Sequence, residues 1–485
     1  MFSNEYFRYL IKNNRFLLIL IMLITLLLVF NDGSKHTTFM IQCVISFGLT
    51  YLMPVMSLYH VHDKRAVDTY FSLPVSRKAM LVTTVIYDIL TAYVPLLISA
   101  TAYFLSGKMA NVSLLLLLLA SLVAVSAMVV FNSTLYLIGN NLVDGIIMIG
   151  AYSFMPLALF MVLCSFANSF VAGMNNMDFV PIIYLSPIYL SFNMIIELIE
   201  SGILLTEMFI ELFAIVVIFG YLLYHSYVYR EAERASSTSD KFYSYPLVIN
   251  VYAFLSLLMI SSGFDYFYPN LFEFMKEYFI LYVLLFAIYA VAHFIYKRKL
   301  SVSIRQPIFY VIAMIIALLF VGLWRNSKGF NLAYRYHQVQ NDDTVSINNW
   351  YDDQNSDLIS YIKKETGSER VSYVSVNVEA LTGGRIKMEM SDQSKKIFED
   401  IRISAVDYFY QDNSKDDSNT IMNINDNDKG LYIYHFASSL TSDQLVKLAQ
   451  DPAVSVMIDF DDGRYAITSE GKMVSLYIPE PVTVN

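Results

Sequence analysis

Residues 113–138 read SLLLLLLASLVAVSAMVVFNSTLYLI, a run without one Asp, Glu, Lys or Arg. About 20 apolar residues in a helix are enough to cross about 30 Å of hydrocarbon, so this run reads as a membrane span. Its neighbours repeat the pattern. Working outward, spans are expected at 16–30, 38–59, 80–105, 145–166, 203–227, 246–262, 277–296 and 307–324, which with the first makes about nine. The whole chain agrees: 56% of its 485 residues are apolar and 15% charged, where soluble domains carry about 45–50% and about 25%. The run at 16–30 has no small-residue cleavage pattern after it and reads as an anchor that is kept.

Basic residues set the expected sidedness. Arg8, Lys12, Arg15, Lys64, Arg65, Arg77 and Lys78 fall on one face, as do Arg230, Arg234, Lys241, Lys297, Arg298, Lys299 and Arg305. Only Lys35, Lys108 and Lys276 fall on the other, a positive-inside bias that puts the N-terminus in the cytoplasm. The bias holds only if the segment 181–201 does not cross. It carries two internal prolines, Glu197 and Glu200, and is read as a re-entrant or interfacial hairpin on the outside. Residues 1–15 place Phe2, Tyr6, Phe7, Leu10 and Ile11 at helical spacing, the pattern of a helix lying in the headgroup plane; a plain tail would also fit.

The last third is different in kind. Residues 325–485 hold 16 Lys+Arg against 25 Asp+Glu, so the net charge of −9 resides there and the first 324 residues are neutral. No apolar run of spanning length occurs in it. Strand-like alternation is read at 370–379, 384–390, 430–436, 454–460, 464–469 and 474–478, with helices at 356–366, 393–403 and 441–450 and a long loop at 411–429. The expected fold class is therefore a polytopic α-helical membrane protein with a C-terminal α+β extracytoplasmic domain. Such acidic surface repels phosphates, which argues against nucleic acid as a partner. Cys43 and Cys164 lie in apolar runs and suggest no disulfide framework.

Between the second and third spans lies 63–80, DKRAVDTYFSLPVSRKAM, too short to cross and too apolar for a plain solvated loop. It suits a short helix that docks on a soluble partner. The stretch DTYFSLPVSR, from Asp68 to Arg77, resembles the T-x-x-S-L-P-V-S-R segment in the first cytosolic loop of ABC-2-type transporter permeases of low-GC Gram-positive bacteria. The amphipathic start, the six spans of 16–230 and the re-entrant segment 181–201 resemble that family too. The extra spans in 231–324 and the domain at 325–485 resemble a subset tied to peptide-antibiotic and cell-envelope stress operons. What the resemblance implies is a bacterial cell-membrane permease, one of a pair of identical or related subunits, driven by a dimeric cytosolic ATPase. The ATPase-coupling role would fall on Asp68, Thr69, Tyr70, Leu73, Pro74 and Arg77. Asp68 stands where the family often has Glu, which puts its salt bridge to the ATPase in doubt.

Absences sharpen this expectation. No G-x-x-x-x-G-K-[ST] occurs; Ser106-Gly107-Lys108 lacks the upstream glycine, so the chain is expected to be no enzyme and to need no cofactor. His60, His62 and Asp63 lack further ligands at metal spacing, and the Asp-rich stretches at 426–430 and 459–463 read as turns rather than calcium loops. Charged and polar groups in spans need a reason. Asp88, Asn132, Glu207 and Glu211 are candidates for a substrate pathway, although satisfied structural roles fit them as well. A membrane receptor with an extracellular ligand-binding domain is the alternative function; a membrane-bound transferase is disfavoured because the loop at 31–37 carries only Asp32 as an acid.

Overall fold

The computed structural model describes residues 2–30, 35–106, 113–173, 180–202, 204–231, 233, 235–237, 242–264, 268, 270–297, 304–335, 338–340, 343–352, 356–367, 373–380, 389–411, 420–426, 430–436, 440–460 and 463–476. The chain divides into two compact units, one of residues 1–160, 181–255 and 285–308, the other of 161–180, 256–284 and 309–485.

The chain opens with α1 (Asn4–Asn13) and α2 (Arg15–Val29), bent 70° apart at Asn14. Ser3 caps α1 by accepting from the Tyr6 amide, and Tyr6 and Leu10 are buried while Phe2, Tyr9 and Ile11 are exposed. The long helices follow: α3 (Lys35–Ser57), α5 (Arg77–Leu105), α6 (Leu114–Tyr136), α7 (Leu142–Phe170), α10 (Thr206–Val228), α12 (Leu271–Lys297) and α13 (Arg305–Asn326). These seven are long and apolar enough to cross a membrane, and α1 with α2 makes an eighth if the bent pair is one span. The ninth expected span, 246–262, is α11 (Tyr245–Ser261), whose 17 residues rise only about 26 Å. Segment 181–201 contains the short α8 (Val180–Ile183) and α9 (Pro187–Ser201), with Pro187 at the first helical position and Gly202 closing α9 at φ 73°. Between α3 and α5 lies α4 (Lys64–Phe71).

In the first unit α3, α5 and α6 pack on one another, and α10 and α9 pack on α6. Small residues permit this: Ala92, Ala100, Ala120, Ala124 and Ala127 are fully buried, so backbones approach closely where no hydrophobic effect drives association in lipid.

The second unit contains the C-terminal domain. Seven strands, β1 (Thr344–Asp352), β2 (Tyr373–Ala380), β3 (Thr420–Asp426), β4 (Gly430–Phe436), β5 (Val454–Phe460), β6 (Gly463–Ile467) and β7 (Met473–Ser475), form one antiparallel sheet in the order β4-β3-β1-β2-β5-β6-β7. Alternate residues of one sheet face, among them Val345, Val376, Met422 and Ile458, are buried with Leu358, Phe398 and Leu445 of α15 (Ser356–Thr366), α16 (Asp392–Gln411) and α17 (Ser442–Ala449). This is a two-layer α+β arrangement. Thr441 and Gln444 form a reciprocal capping box on α17. One expectation fails here: 411–429 is not loop throughout, because 420–426 is β3, and β1 is a further strand the alternation did not reveal. Residues 384–388 of the expected strand at 384–390, the middles of the two Asp-rich stretches (427–429 and 461–462) and most of that loop lie outside the described residues, and 389–390 are not strand.

The domain is stitched to helix ends within its own unit. Trp324 packs edge-on to Phe166 of α7 at 5.8 Å, and the Tyr410 hydroxyl lies 3.1 Å from the Phe170 carbonyl and 3.0 Å from the Lys328 carbonyl. Gly329, at φ 62°, makes the close approach possible, since a Cβ there would stand 2.9 Å from the Phe170 oxygen. After α13 comes α14 (Leu332–Arg335), held by the fully buried Arg402, which donates to the Ala333 carbonyl at 2.7 Å and the Tyr334 carbonyl at 3.2 Å. Arg402 also pairs in fork geometry with Glu399 at 2.6 and 2.9 Å, and Glu399 accepts from the Val339 amide at 3.1 Å.

Candidate functional site

The segment between α3 and α5 is built to stay folded although it is short. α3 contains Pro54 and ends at Ser57; a 3-10 turn at Tyr59–Val61 follows, and Asp63 then caps α4 by accepting from the amides of Arg65 at 2.8 Å and Ala66 at 3.4 Å. The chain leaves α4 three residues before Pro74, whose ring disfavours helix just ahead of it. Ser76 restarts helix as the cap of α5.

The inner face of α4 is fixed at two posts. The first is the Tyr70 ring, stacked on the His60 imidazole at 4.2 Å and 14°, with its hydroxyl 2.9 Å from that of Tyr9. His60 in turn meets the Ser57 carbonyl at 3.1 Å and the Tyr227 hydroxyl at 3.2 Å. The second post is Arg77. Its guanidinium lies 3.9 Å over the Phe71 ring and donates to the carbonyls of Val228, the last residue of α10, and of Arg230 just beyond it. Arg230 repeats the device by donating to Leu137 and Gly139 past the end of α6 at 2.8 and 3.0 Å. Cations at helix C-termini satisfy orphan carbonyls and complement the dipole. Between the posts Val67 is 1% exposed.

The outer face is open. Lys64, Arg65, Asp68, Thr69, Ser72 and Pro74 are exposed, and Leu73 is 39% exposed at the tip. The six residues expected to couple therefore divide: Asp68, Thr69, Leu73 and Pro74 face outward, whereas Tyr70 and Arg77 turn inward and hold the seat. His60, Val67, Tyr227 and Arg230 complete that seat and were not singled out for it by sequence. In the sequence Arg230 is only a charge after a span.

Burial lowers the His60 pKa to about 4, with the Arg230 charge adding and the Ser57 carbonyl opposing; burial and Arg230 lower His62 to about 3. The seated imidazoles are thus neutral, and an unseated segment would protonate below about 6.5. Seating is complete above that value and weakens as pH falls from about 6.5 toward 4, by up to about 1.4 kcal/mol per pH unit for His60. The expected result is faster hydrogen exchange of the amides at 64–77 at pH 5 than at pH 7.5, after correction for intrinsic rates. In His60→Gln only the His62 share of that slope should remain; an unaltered slope would remove His60 from the seat.

The four candidate pathway residues are not brought together. Asp88 is fully buried in α5 and accepts from Ser57 at 2.7 Å. Asn132, fully buried in α6, donates to the Thr50 carbonyl at 3.1 Å. Both therefore bond α3 at points about two turns apart. Glu207 and Glu211 are exposed, one turn apart on α10. Among the described residues no group of three or more His, Cys, Asp or Glu could hold a metal ion. Gly107 and Lys108 lie outside the described residues. No family model, curated protein or solved structure matches the chain.

Proposed function

We propose that the chain is the permease subunit of an ATP-binding-cassette exporter of a bacterial cell membrane, powered by a separate cytosolic ATPase dimer that presses on α4. The single observation that carries this is the division of α4 into a seated face and an open tip. Force at Leu73 and Pro74 passes through Tyr70 and His60 to α3 and Tyr227, and through Arg77 and Arg230 to the ends of α10 and α6. Those helices form the packed bundle, so a small push at the tip becomes a rigid-body change of helix arrangement. The N-terminus and α4 are then cytoplasmic and the C-terminal domain extracellular, in keeping with the basic-residue bias. A second permease, identical or related, completes the pathway in lipid. The charge of −9 on residues 325–485 suits a domain that gathers cationic cargo such as an antimicrobial peptide or drug, or caps its exit.

The test is purification of the full-length tagged chain from its own membrane in mild detergent. A P-loop ATPase without spans is expected to accompany it in stoichiometric amount. Recovery of the permease without any such protein, under conditions where cross-linking before solubilisation also captures none, would overturn the proposal.

A further inference from the structure

Between α3, α7 and the α8–α9 segment lies a cavity of about 730 Å³, within the roughly 300–1,000 Å³ of small-molecule sites. Its α3 wall runs from Val44 to Val55 and its α7 wall from Ile146 to Leu157. Each wall is therefore about 16 Å long, near half of the roughly 30 Å hydrocarbon thickness and so one leaflet deep. The floor is buried, with Phe47 2% and Ile149 3% exposed, while the rim faces outward, with Val44 60% and Phe154 63% exposed. The mouth thus opens sideways, in the direction of the outward sides of two helices apolar enough to span.

Two glycines keep the space open. Gly48 and Gly150 lie inside α3 and α7, where glycine is disfavoured relative to alanine, and both line the cavity. A Cβ at either would meet nothing within 4 Å, so neither serves a close helix contact, and neither has a left-handed backbone. What they supply is room. The polar groups of the lining are the Tyr51, Ser153, Ser186 and Tyr189 hydroxyls, and Ser186 donates to the Ser153 carbonyl. No charged side chain lines the wall, so nothing there recognises a headgroup or an ionic ligand.

We propose that this cavity seats one acyl tail of a bilayer lipid, which enters laterally between α3 and α7. The inference needs only the membrane setting of these helices and not the ATPase coupling proposed above. To test it, the full-length protein is reconstituted in phosphatidylcholine vesicles containing a trace of phosphatidylcholine with a diazirine on one palmitoyl tail, irradiated, and mapped by mass spectrometry. Adducts are expected to concentrate on 44–55 and 146–157 over the outward faces of α10 and α12. In the double variant Gly48→Leu, Gly150→Leu they should fall about tenfold, to the level of those faces, with an unchanged unfolding temperature. If that variant does not fold, Gly48→Ala with Gly150→Ala adds two methyl groups into open space and should lower the same adducts about twofold. Even labelling of all outward helices, or adducts indifferent to a folded variant, overturns the proposal. So do cross-links between two copies in the variants Val44→Cys and Phe154→Cys in place of lipid adducts.

Discussion

If the proposed coupling holds, replacing Leu73 and Pro74 together by Asp is expected to abolish retention of a partner ATPase by the full-length chain in a pull-down, while the chain itself folds and inserts normally. The argument rests on exposure. Leu73 is 39% exposed and Pro74 is exposed, so neither side chain holds the seat of α4, and two carboxylates at the tip remain solvated in the free subunit. In the proposed complex the same carboxylates would have to leave water. Interface anchors of this kind cost about 2 kcal/mol or more each when lost, so the pair should weaken binding by about a thousandfold or more. Asp68→Asn and Thr69→Ala, on the same face but at solvated polar positions, should cost far less, in the range of about 0.2–1 kcal/mol for exposed polar pairs. Tyr70→Ala should act differently, weakening ATPase retention together with the hydrogen-exchange protection of 64–77, because it removes a post rather than the tip. Unchanged retention in the double Asp variant, with the protein correctly inserted, would sink the docking role of this segment.

The second large effect is expected at Arg402. Arg402→Met takes the donor away from the Ala333 and Tyr334 carbonyls and the cation away from the partly exposed Glu399; hydrogen bonds to a charged group are worth about 1.5–3 kcal/mol each, so the loss should come to about 3 kcal/mol or more. That is a large part of the roughly 5–15 kcal/mol by which domains are stable. Hydrogen exchange on the full chain should show lost protection at 333–335 and at Val339 first and in β1–β5 next. Glu399→Gln keeps shape and should cost only about 1–3 kcal/mol. Acid should mimic it. Burial raises the Glu399 pKa, but its bonds to Arg402 and the Val339 amide outweigh this and hold it below the usual carboxylate range. Such a group stabilises the fold above the unfolded value of about 4.3, and that contribution is lost as pH falls through the lowered folded value. Protection at 333–335 and at Val339 that survives in Arg402→Met would place the strength of this junction elsewhere.

What could be read from the chain followed the range of the physics. Apolar runs announce spans because lipid is a uniform solvent and each residue contributes alone, so α3, α5, α6, α7, α10, α12 and α13 were all expected. Alternation exposed β2, β4 and β5 for the same reason. β3 is hidden by composition, because Asn423, Asn425 and Asp426 belong to residue types depleted in strands and common in turns, so the stretch reads as loop although Met422 and Ile424 point inward. The candidate site was half legible. A helix docking outward follows from 63–80 alone, but which face docks does not, because the partner of Arg77 lies 153 residues along the chain at Arg230. Linear spacing carries no record of such a neighbour. The cavity was equally silent, since Gly48 and Gly150 gain their meaning only when α3 and α7 face one another.

Tyr410 deserves its consequence in mechanical terms. One phenol bridges Phe170 and Lys328, chain positions that sit at the tops of two separate helices, and Gly329 lets them come close enough for it to do so. A sheet fastened at two such points has no free tether to swing on. Any tilt of the sheet must either change the gap between those helix tops or break the phenol's grip, so sheet orientation and the spacing of those two helix ends are coupled.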